Sequence, residues 1–582
     1  MTPTRAARGL LALAAVAVSF AAADTYVVVL ALPDMMASAG LSAEDLHRAA
    51  SIISGFMLGY VAMLPLAGRI ADLRGRVPVL VGALVLFSLG SLVTALAYDL
   101  PSLVTGRVLQ GAGAGGLLPA TLALVADLYP PRQRGLPLGL VGAVQELGNV
   151  IGPVYGALVL AVGSWRTIFW INLAAGLALA AAIRATPADV RGAGRPRPDW
   201  LGLILAGSGT GALVVVLAQP ARLAADVTWG LALVPVTGSN RWLAPLALAG
   251  YALLALLVVR CATAAQPLVD LRAWGATARR VDVLGATLLA VALGGVILAF
   301  GTANPQRQVF AEQGPWLLLA SAVAAVGFVR RNRVARHPLL PSGAIARTPA
   351  WGALVVSFFV GAALVAALID IPIFARLTVH QDDQVAAAMV LVRFLVGLPI
   401  GAFVGGWLTR RLPAGVVTAV GMALSCGGFL WMATWDLTSL DQPISTVPLV
   451  LAGFGVGLAM APVNAALLAA TDSSVHGVAS GLLIVSRTIG KLVGISALTT
   501  IGLRRFYATE RGLPAPADVC SGGRTRCAEW TLILREAGLT QLHTIFVGAA
   551  VCCVIAGLVA LVVFRTADTR AVKVAPLESW AG

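Results

Sequence analysis

Lysine is almost missing from this chain: Lys491 and Lys573 are its only two, and every other one of the 41 basic residues is arginine. Charge of any sign is scarce, at 12% of 582 residues where a soluble domain carries about 25%. Cysteines number six, with no Cys/His spacing suited to a metal, no glycine-rich nucleotide fingerprint and no nucleophile elbow. These absences exclude the motif-bearing metal, nucleotide and acyl-transfer enzymes. In place of charge there is hydrophobicity, 59% of residues, with a mean hydropathy of +0.89. That composition predicts an all-α, polytopic membrane protein.

The formal charge of +15 would point to nucleic acid in a soluble chain. Its placement excludes that reading. Arginines gather in every second loop, as Arg69, Arg74 and Arg76, then Arg132 and Arg134, Arg184 to Arg197, Arg272 to Arg280, Arg330 to Arg336, and Arg410 with Arg411. Between them lie loops with few, such as Arg222, Arg241 and Arg307. The alternation is the positive-inside pattern and marks the rich loops as cytoplasmic. Hydropathy then predicts sixteen spans: 9–32, 49–70, 78–97, 102–127, 136–162 and 165–184; 200–219, 243–262, 281–303 and 314–330; 350–377, 385–408, 414–434, 446–470, 479–503 and 541–564. An even number leaves both termini in the cytoplasm. Arg5, Arg8 and the run to Ala23 mimic a secretory signal, but the apolar stretch continues through Leu32, so it reads as an uncleaved first span.

The expected organisation is a six-helix bundle over 1–185, a central insert of two hairpins over 186–349, and a second six-helix bundle over 350–582. The insert reads as a duplication: Asp199-Trp200-Leu201-Gly202 opens one copy and Asp282-Val283-Leu284-Gly285 the other. They close on Gln266-Pro267-Leu268-Val269 and His337-Pro338-Leu339-Leu340. Of the outer loops, 220–242 reads as a small β-hairpin around Thr237-Gly238-Ser239-Asn240. The other long one, 504–540, is polar with helical flanks, Phe506–Arg511 and Glu529–Gln541, so the last two spans are expected to project beyond the bilayer. Cys520 and Cys527 at its tip face the oxidising side, where a disulfide is favoured over two unrelated thiols.

Three charges sit inside apolar stretches: Asp24, Glu146 and Arg487. Each costs roughly 2.5–3.5 kcal/mol at mid-membrane on insertion scales, so such residues are functional by default. Two acids and a base suit a proton-driven carrier, in which either acid can pair with Arg487 and release it on protonation. The alternative is ion pairs that merely hold spans together. Asp370 and Arg393 are further buried charges that either line a cavity or pair with each other.

The segment Gly68-Arg69-Ile70-Ala71-Asp72-Leu73-Arg74-Gly75-Arg76 makes a tight charged turn between spans two and three. It resembles the cytoplasmic loop signature of the major facilitator superfamily, with Leu73 and Val77 where bases are usual. Arg107-Val108-Leu109-Gln110-Gly111-Ala112-Gly113 resembles the intramembrane arginine motif linked to proton coupling; a snorkelling Arg107 is the plain alternative. Gly148, Gly152, Pro153 and Gly156 in span five resemble the antiporter signature, with Ala157 at the usual final glycine; small residues one turn apart also serve close packing.

The context of Asp24-Thr25-Tyr26, Asp45-Leu46-His47-Arg48, Gln145-Glu146-Leu147-Gly148, Phe169-Trp170-Ile171-Asn172, Leu398-Pro399-Ile400-Gly401 and Arg487 is similar to the mycobacterial triacylglyceride-exporting branch of the fourteen-span drug:proton antiporters. The resemblance spans nearly the whole chain except roughly residues 199–280. It implies proton-coupled movement of lipids from the bacterial inner membrane towards the periplasm, with a proton gradient and no cofactor. It also implies a periplasmic lipid-binding lipoprotein as partner; a monomeric carrier that binds no nucleic acid is expected. A multidrug:proton antiporter for amphipathic small molecules is the first alternative. A non-transporting membrane scaffold or sensor is the second, and an enzyme is not expected.

Overall fold

A computed structural model describes residues 5–41, 46–130, 133–186, 199–237, 241–265, 267–301, 311–341, 343, 345–379, 384–520, 527–567 and 569. Asp45, Arg132, Arg191, Arg195, Arg197, Gly238 to Asn240, Gln266, Arg307, Arg524 and Arg526 lie outside these, as do the side chains of Tyr26, His47, Arg48 and Pro153. Among the described residues every regular element is helical.

The first six helices are α1 (Arg5–Ser38), α2 (Leu46–Arg74), α3 (Arg76–Ala95), α4 (Leu100–Leu128), α5 (Gly135–Val162) and α6 (Trp165–Arg184). The central ones are α7 (Trp200–Ala218), α8 (Ala221–Ala224), α9 (Val227–Leu233), α10 (Pro245–Thr263), α11 (Leu271–Arg280), α12 (Val283–Gly301) and α13 (Gly314–Val334). The last are α14 (Thr348–Leu377), α15 (Gln384–Leu408), α16 (Ala414–Met432), α17 (Thr446–Ala469), α18 (His476–Glu510), α19 (Pro516–Val519) and α20 (Ala528–Val563). Among the described residues, fourteen helices are long and apolar enough to cross a membrane. The other two long helices are α5, which carries Gln145, Glu146 and Asn149, and α13, which ends in Arg330, Arg331 and Arg333. Terminal arginines lower the apolar character of the second, whereas the first is as apolar on average as its neighbours.

Two bundles of six helices form the body. In the first, α2 and α3 pack on α4, α1 on α5 and α3 on α6. In the second, α15 and α16 pack on α17, and α14, α16 and α18 all pack on α20. The bundles meet through α5 against α15 and α2 against α18. Prolines 33, 65, 119, 372, 399 and 462 sit inside these helices, tolerated because neighbouring helices absorb the lost backbone bond.

The central helices form two pairs, α7 with α10 and α12 with α13, and the pairs close in the same way. Asp199 caps α7 by accepting the Gly202 N–H at 3.0 Å and binds Arg260 from the end of α10 at 2.7 Å. Asp282 precedes α12, accepts the Gly285 N–H at 3.0 Å and binds Arg331 from the end of α13 at 3.1 Å. The Arg260 hydrogen bond, with the Gly202 N–H, holds the Asp199 carboxyl below its ordinary range. The acid that starts each pair thus receives the guanidinium that ends it.

Among the described residues of 220–242 there is no strand, and Gly238 to Asn240 of the expected turn lie outside them. Asp226 accepts the N–H groups of Thr228 and Trp229, starting α9 before Val234 and Val236 can enter a strand, and a single turn of 3₁₀-helix follows at 241–243. A capping aspartate outcompeted the strand-like composition. By contrast, α18 and α20 run to 35 and 36 residues, about 53 Å at roughly 1.5 Å per residue, against a hydrocarbon layer of about 30 Å. They pack together, and a Cys520–Cys527 disulfide joins the chain between them.

Counting every long helix as a crossing puts the 220–242 loop opposite the α11 segment and on the same face as the 433–445 loop. A cysteine replacing exposed Ala225 should therefore react with an impermeant thiol reagent from the same side as one replacing Thr438. One replacing Ala276 should react only after permeabilisation. Protection of position 225 in intact cells would show that one central pair does not cross.

Candidate functional site

The charged residues inside the membrane fall into two networks of unequal completeness. In the first, Arg107 on α4 reaches Asp24 on α1 at 2.7 Å and Gln110 at 2.6 Å, and its guanidinium lies 4.3 Å from the centre of the Phe56 ring. The second Asp24 oxygen accepts from the amide of Asn172 on α6, while Gln110 donates to Ser91 on α3 at 2.9 Å. Arg107 is 1% exposed, so it does not snorkel. Asp24 takes Arg107 as its cation, not Arg487: α1 is packed within the first bundle, where α4 brings its arginine to the same depth. Both oxygens of Asp24 are occupied.

The close approach of α1 and α5 fixes this network. A Cβ on Gly148 would run into the Ser19 carbonyl, and one on Gly152 into the Ala23 carbonyl, next to Asp24. Two glycines one turn apart therefore let α5 lie against the α1 backbone. Gly156 is buried on the same helix.

The second network is incomplete. Glu146 on α5 is 2% exposed; one oxygen accepts from Asn149 at 2.8 Å and the other has no partner. Arg487 on α18 is buried, and its only hydrogen bond among the described residues is from Nε to Ser357 at 3.3 Å. The two attract each other without forming a salt bridge. Arg487 lines a cavity of about 70 Å³, walled by α1, α2, α4 and α5 of the first bundle and α18 of the second, where Gln145 and Asn149, the neighbours of Glu146 on α5, reach its wall. Its polar lining includes Thr25, Tyr60, Gln145, Asn149, Arg487 and Lys491. A water needs roughly 10–15 Å³ of such space, so the cavity admits a few waters or one small polar group.

Asp370 and Arg393 neither line this cavity nor pair. Asp370 is 3% exposed within α14, with one oxygen unpartnered. Arg393 on α15 donates instead to Thr446 at 3.4 Å.

One end of the cavity is shut. Asp72 accepts the N–H groups of Gly477 and Val478 at 3.0 and 3.2 Å, the first turn of α18, and is bound by Arg76. Arg76 also reaches Asp127 on α4 at 3.0 Å. A carboxylate from the first bundle thus caps a helix of the second, where the helix dipole favours negative charge. Gly68 and Gly477 touch backbone to backbone, and a Cβ on either would clash. Gly75, at φ 94°, makes the turn that a side chain would strain. Arg74 does not join the lock; it stacks on Trp274 of α11, 4.7 Å from the ring centre.

Sequence patterns located Arg107, Glu146, Arg487 and the 68–76 turn, but not the partners. Gln110 and Asn172 lay inside the quoted motifs with no role attached. Lys491 was overlooked as a cavity residue, although its position four after Arg487 on one helix was a usable signal.

A family model described as Major Facilitator Superfamily matches residues 14–330 and 281–495. The chain is 35% identical over 537 residues to a triacylglyceride transporter of Mycolicibacterium hassiacum, covering 89% of this chain and 85% of that protein. It is 34% identical to a triacylglyceride transporter of Mycolicibacterium smegmatis, covering 94% and 86%, and 32% identical to one of Mycobacterium tuberculosis, covering 94% and 92%. A solved proton:xylose symporter shares the fold at a TM-score of 0.50 and 12% identity, covering 94% of each chain.

Two measurements check the geometry. Asp24→Ala or Arg107→Ala alone should cost about 3–5 kcal/mol of stability, because each strands a buried charge, while the double substitution should cost less than the sum. Thermal unfolding of the four proteins in detergent reads this; strict additivity would refute the pair. Asp72→Ala should part the shut end: each charge-assisted bond is worth about 1.5–3 kcal/mol, so spin-label distances between the ends of α2 and α18 should lengthen in most molecules.

Proposed function

The chain belongs to the major facilitator superfamily and is a multi-pass membrane transporter; we propose that it is a proton-coupled exporter moving triacylglyceride-like lipids from the bacterial inner membrane towards the periplasm. The relatives named triacylglyceride transporters, matched over most of both chains, motivate the substrate. One observation carries the coupling: Glu146, a nearly enclosed carboxyl with one free oxygen, stands beside an arginine that no carboxylate holds.

In this reading the arginine-rich face, shut by Asp72 and the first turn of α18, is cytoplasmic, and both termini lie on that side. The transporter works as a monomer of two six-helix bundles, 1–185 and 350–582, around a central insert over 186–349. Ionised Glu146 attracts Arg487 across the bundle boundary and favours the approach of α5 and α18. Protonated Glu146 releases that attraction. Because the two facing states bind the proton with different affinity, a gradient biases the cycle. Asp24, saturated by Arg107 and Asn172, serves as the fixed point against which α5 moves.

A lipid also has to be kept from water on leaving. Exposing acyl chain costs about 0.8 kcal/mol per methylene. The projecting ends of α18 and α20, with the Cys520–Cys527 loop between them, supply a shield on the periplasmic side and a place for a lipid-binding lipoprotein to receive cargo. An exporter of water-soluble amphipathic drugs has no such need.

In proteoliposomes with an imposed proton gradient, the wild type should move labelled triacylglyceride to an external acceptor, and collapse of the gradient should stop it. Glu146→Gln should lower the rate at least tenfold, the equivalent of about 1.4 kcal/mol; a wild-type rate in this variant would remove Glu146 from the coupling. Replacing residues 511–527 by a short flexible link should impair lipid delivery far more than efflux of a soluble dye. Equal loss of both would favour the drug antiporter.

A further inference from the structure

The central cavity is unbalanced in charge. Arg487 and Lys491 line it, one turn apart on α18, and no carboxylate is among its described lining residues. Side chains at this spacing lie on one helix face about 5–6 Å apart at Cβ, close enough to hold one group between them. Arg487 is the twelfth residue of α18 and Lys491 the sixteenth, placing them about 17 and 23 Å from its start. Both lie well inside a helix long and apolar enough to cross a membrane, where a lone cation is costly.

The acids of the neighbourhood do not compensate both cations. Asp24 is bound by Arg107 and Asn172. Glu146 stands behind Gln145 and Asn149, attracts Arg487 without bonding it, and carries at most one charge against two. Asp370 is enclosed in α14 outside the cavity. Among the described residues Lys491 has no ion pair or hydrogen bond at all. The remaining polar lining, the Gln145 and Asn149 amides and the Thr25 hydroxyl, suits oxygen acceptors. Around it run Val18, Phe56, Met57, Leu117 and Ile484, an apolar collar that a headgroup alone would not need.

We infer that this cavity is a headgroup site for a lipid bearing an oxyanion, phosphate or carboxylate, clasped between Arg487 and Lys491 with its acyl chains along the apolar collar. The inference rests on the lipid-exporter reading and adds an anionic lipid to its neutral cargo: a neutral acylglycerol leaves both cations uncompensated, whereas an anionic headgroup neutralises them. The space of about 70 Å³ takes the headgroup and not the tails, so the tails extend beyond the enclosed part.

The test is a matched pair of lipids. Binding of phosphatidic acid and of diacylglycerol with the same acyl chains is measured on the full-length protein in detergent. The wild type should bind phosphatidic acid at least about tenfold more tightly, a difference of roughly 1.4 kcal/mol. Lys491→Gln should bring the ratio close to one, and Lys491→Arg should keep it. Because each ratio is taken within one protein, loss of folded material cancels. Inorganic phosphate should compete poorly; full competition at equal concentration would assign the site to a small free anion and overturn the lipid headgroup. Equal affinity of the wild type for both lipids, or an unchanged ratio in Lys491→Gln, would overturn the inference while leaving a lipid carrier intact. Failure of the wild type to bind either lipid would remove the lipid reading and this inference with it.

Discussion

The carboxylate of Asp72 holds the molecule in the state described. It belongs to the first bundle, yet two of its hydrogen-bond donors are the N–H groups that open α18 in the second. A helix start always has unsatisfied donors, and inside a protein boundary they must be met by something. Meeting them from across the boundary turns a local requirement of one helix into a bond between two bodies. The backbone contact of Gly68 with Gly477 then follows, because the carboxylate reaches only when nothing lies between the chains. The shut face, and the cavity's shape above it, depend on that reach.

The two buried charge networks differ in how fully each group is satisfied. Around Asp24 both carboxylate oxygens are matched, by Arg107 and Asn172, within a network drawn from four helices, α1, α3, α4 and α6, so it acts as a clamp within one bundle. Around Glu146 an oxygen is left over and the nearest guanidinium lies in the other bundle. A saturated set resists change of protonation, because any change breaks something. An unsaturated set straddling a moving boundary changes protonation and separation together. Chemistry that looks alike in the sequence, an acid in an apolar span, thus serves anchoring in one place and response in another.

Hydropathy and arginine spacing made the helices legible, since both report depth and side directly. They also revealed the two central pairs, whose Asp199–Arg260 and Asp282–Arg331 closures repeat in space what Asp-x-x-Gly repeats in the chain. Depth carries no information about azimuth, however. Asp24, Glu146, Arg107 and Arg487 could be placed in the membrane but not matched, and the pairing of Asp24 with Arg107 emerged only once α4 was seen to turn that face towards α1. The strand expected before the 237–240 turn failed for a related reason: Val, Trp and Thr suggest strand, but Asp226 decides the local structure through the two N–H groups of Thr228 and Trp229. Lys491 escaped notice because rarity alone gives a residue no address.

The central pairs have one more implication. Each closes upon itself, its first acid binding its last base, and so brings its own means of staying folded at the arginine-rich face. Where both of its helices cross, it also adds two crossings, an even increment. A unit with those two properties can be gained or lost by a gene without inverting anything encoded after it. The second bundle keeps its orientation whatever number of pairs precedes it. Modularity of this kind belongs to the parity of the unit rather than to any contact it makes, and it gives a carrier a place to grow that its transport machinery does not register.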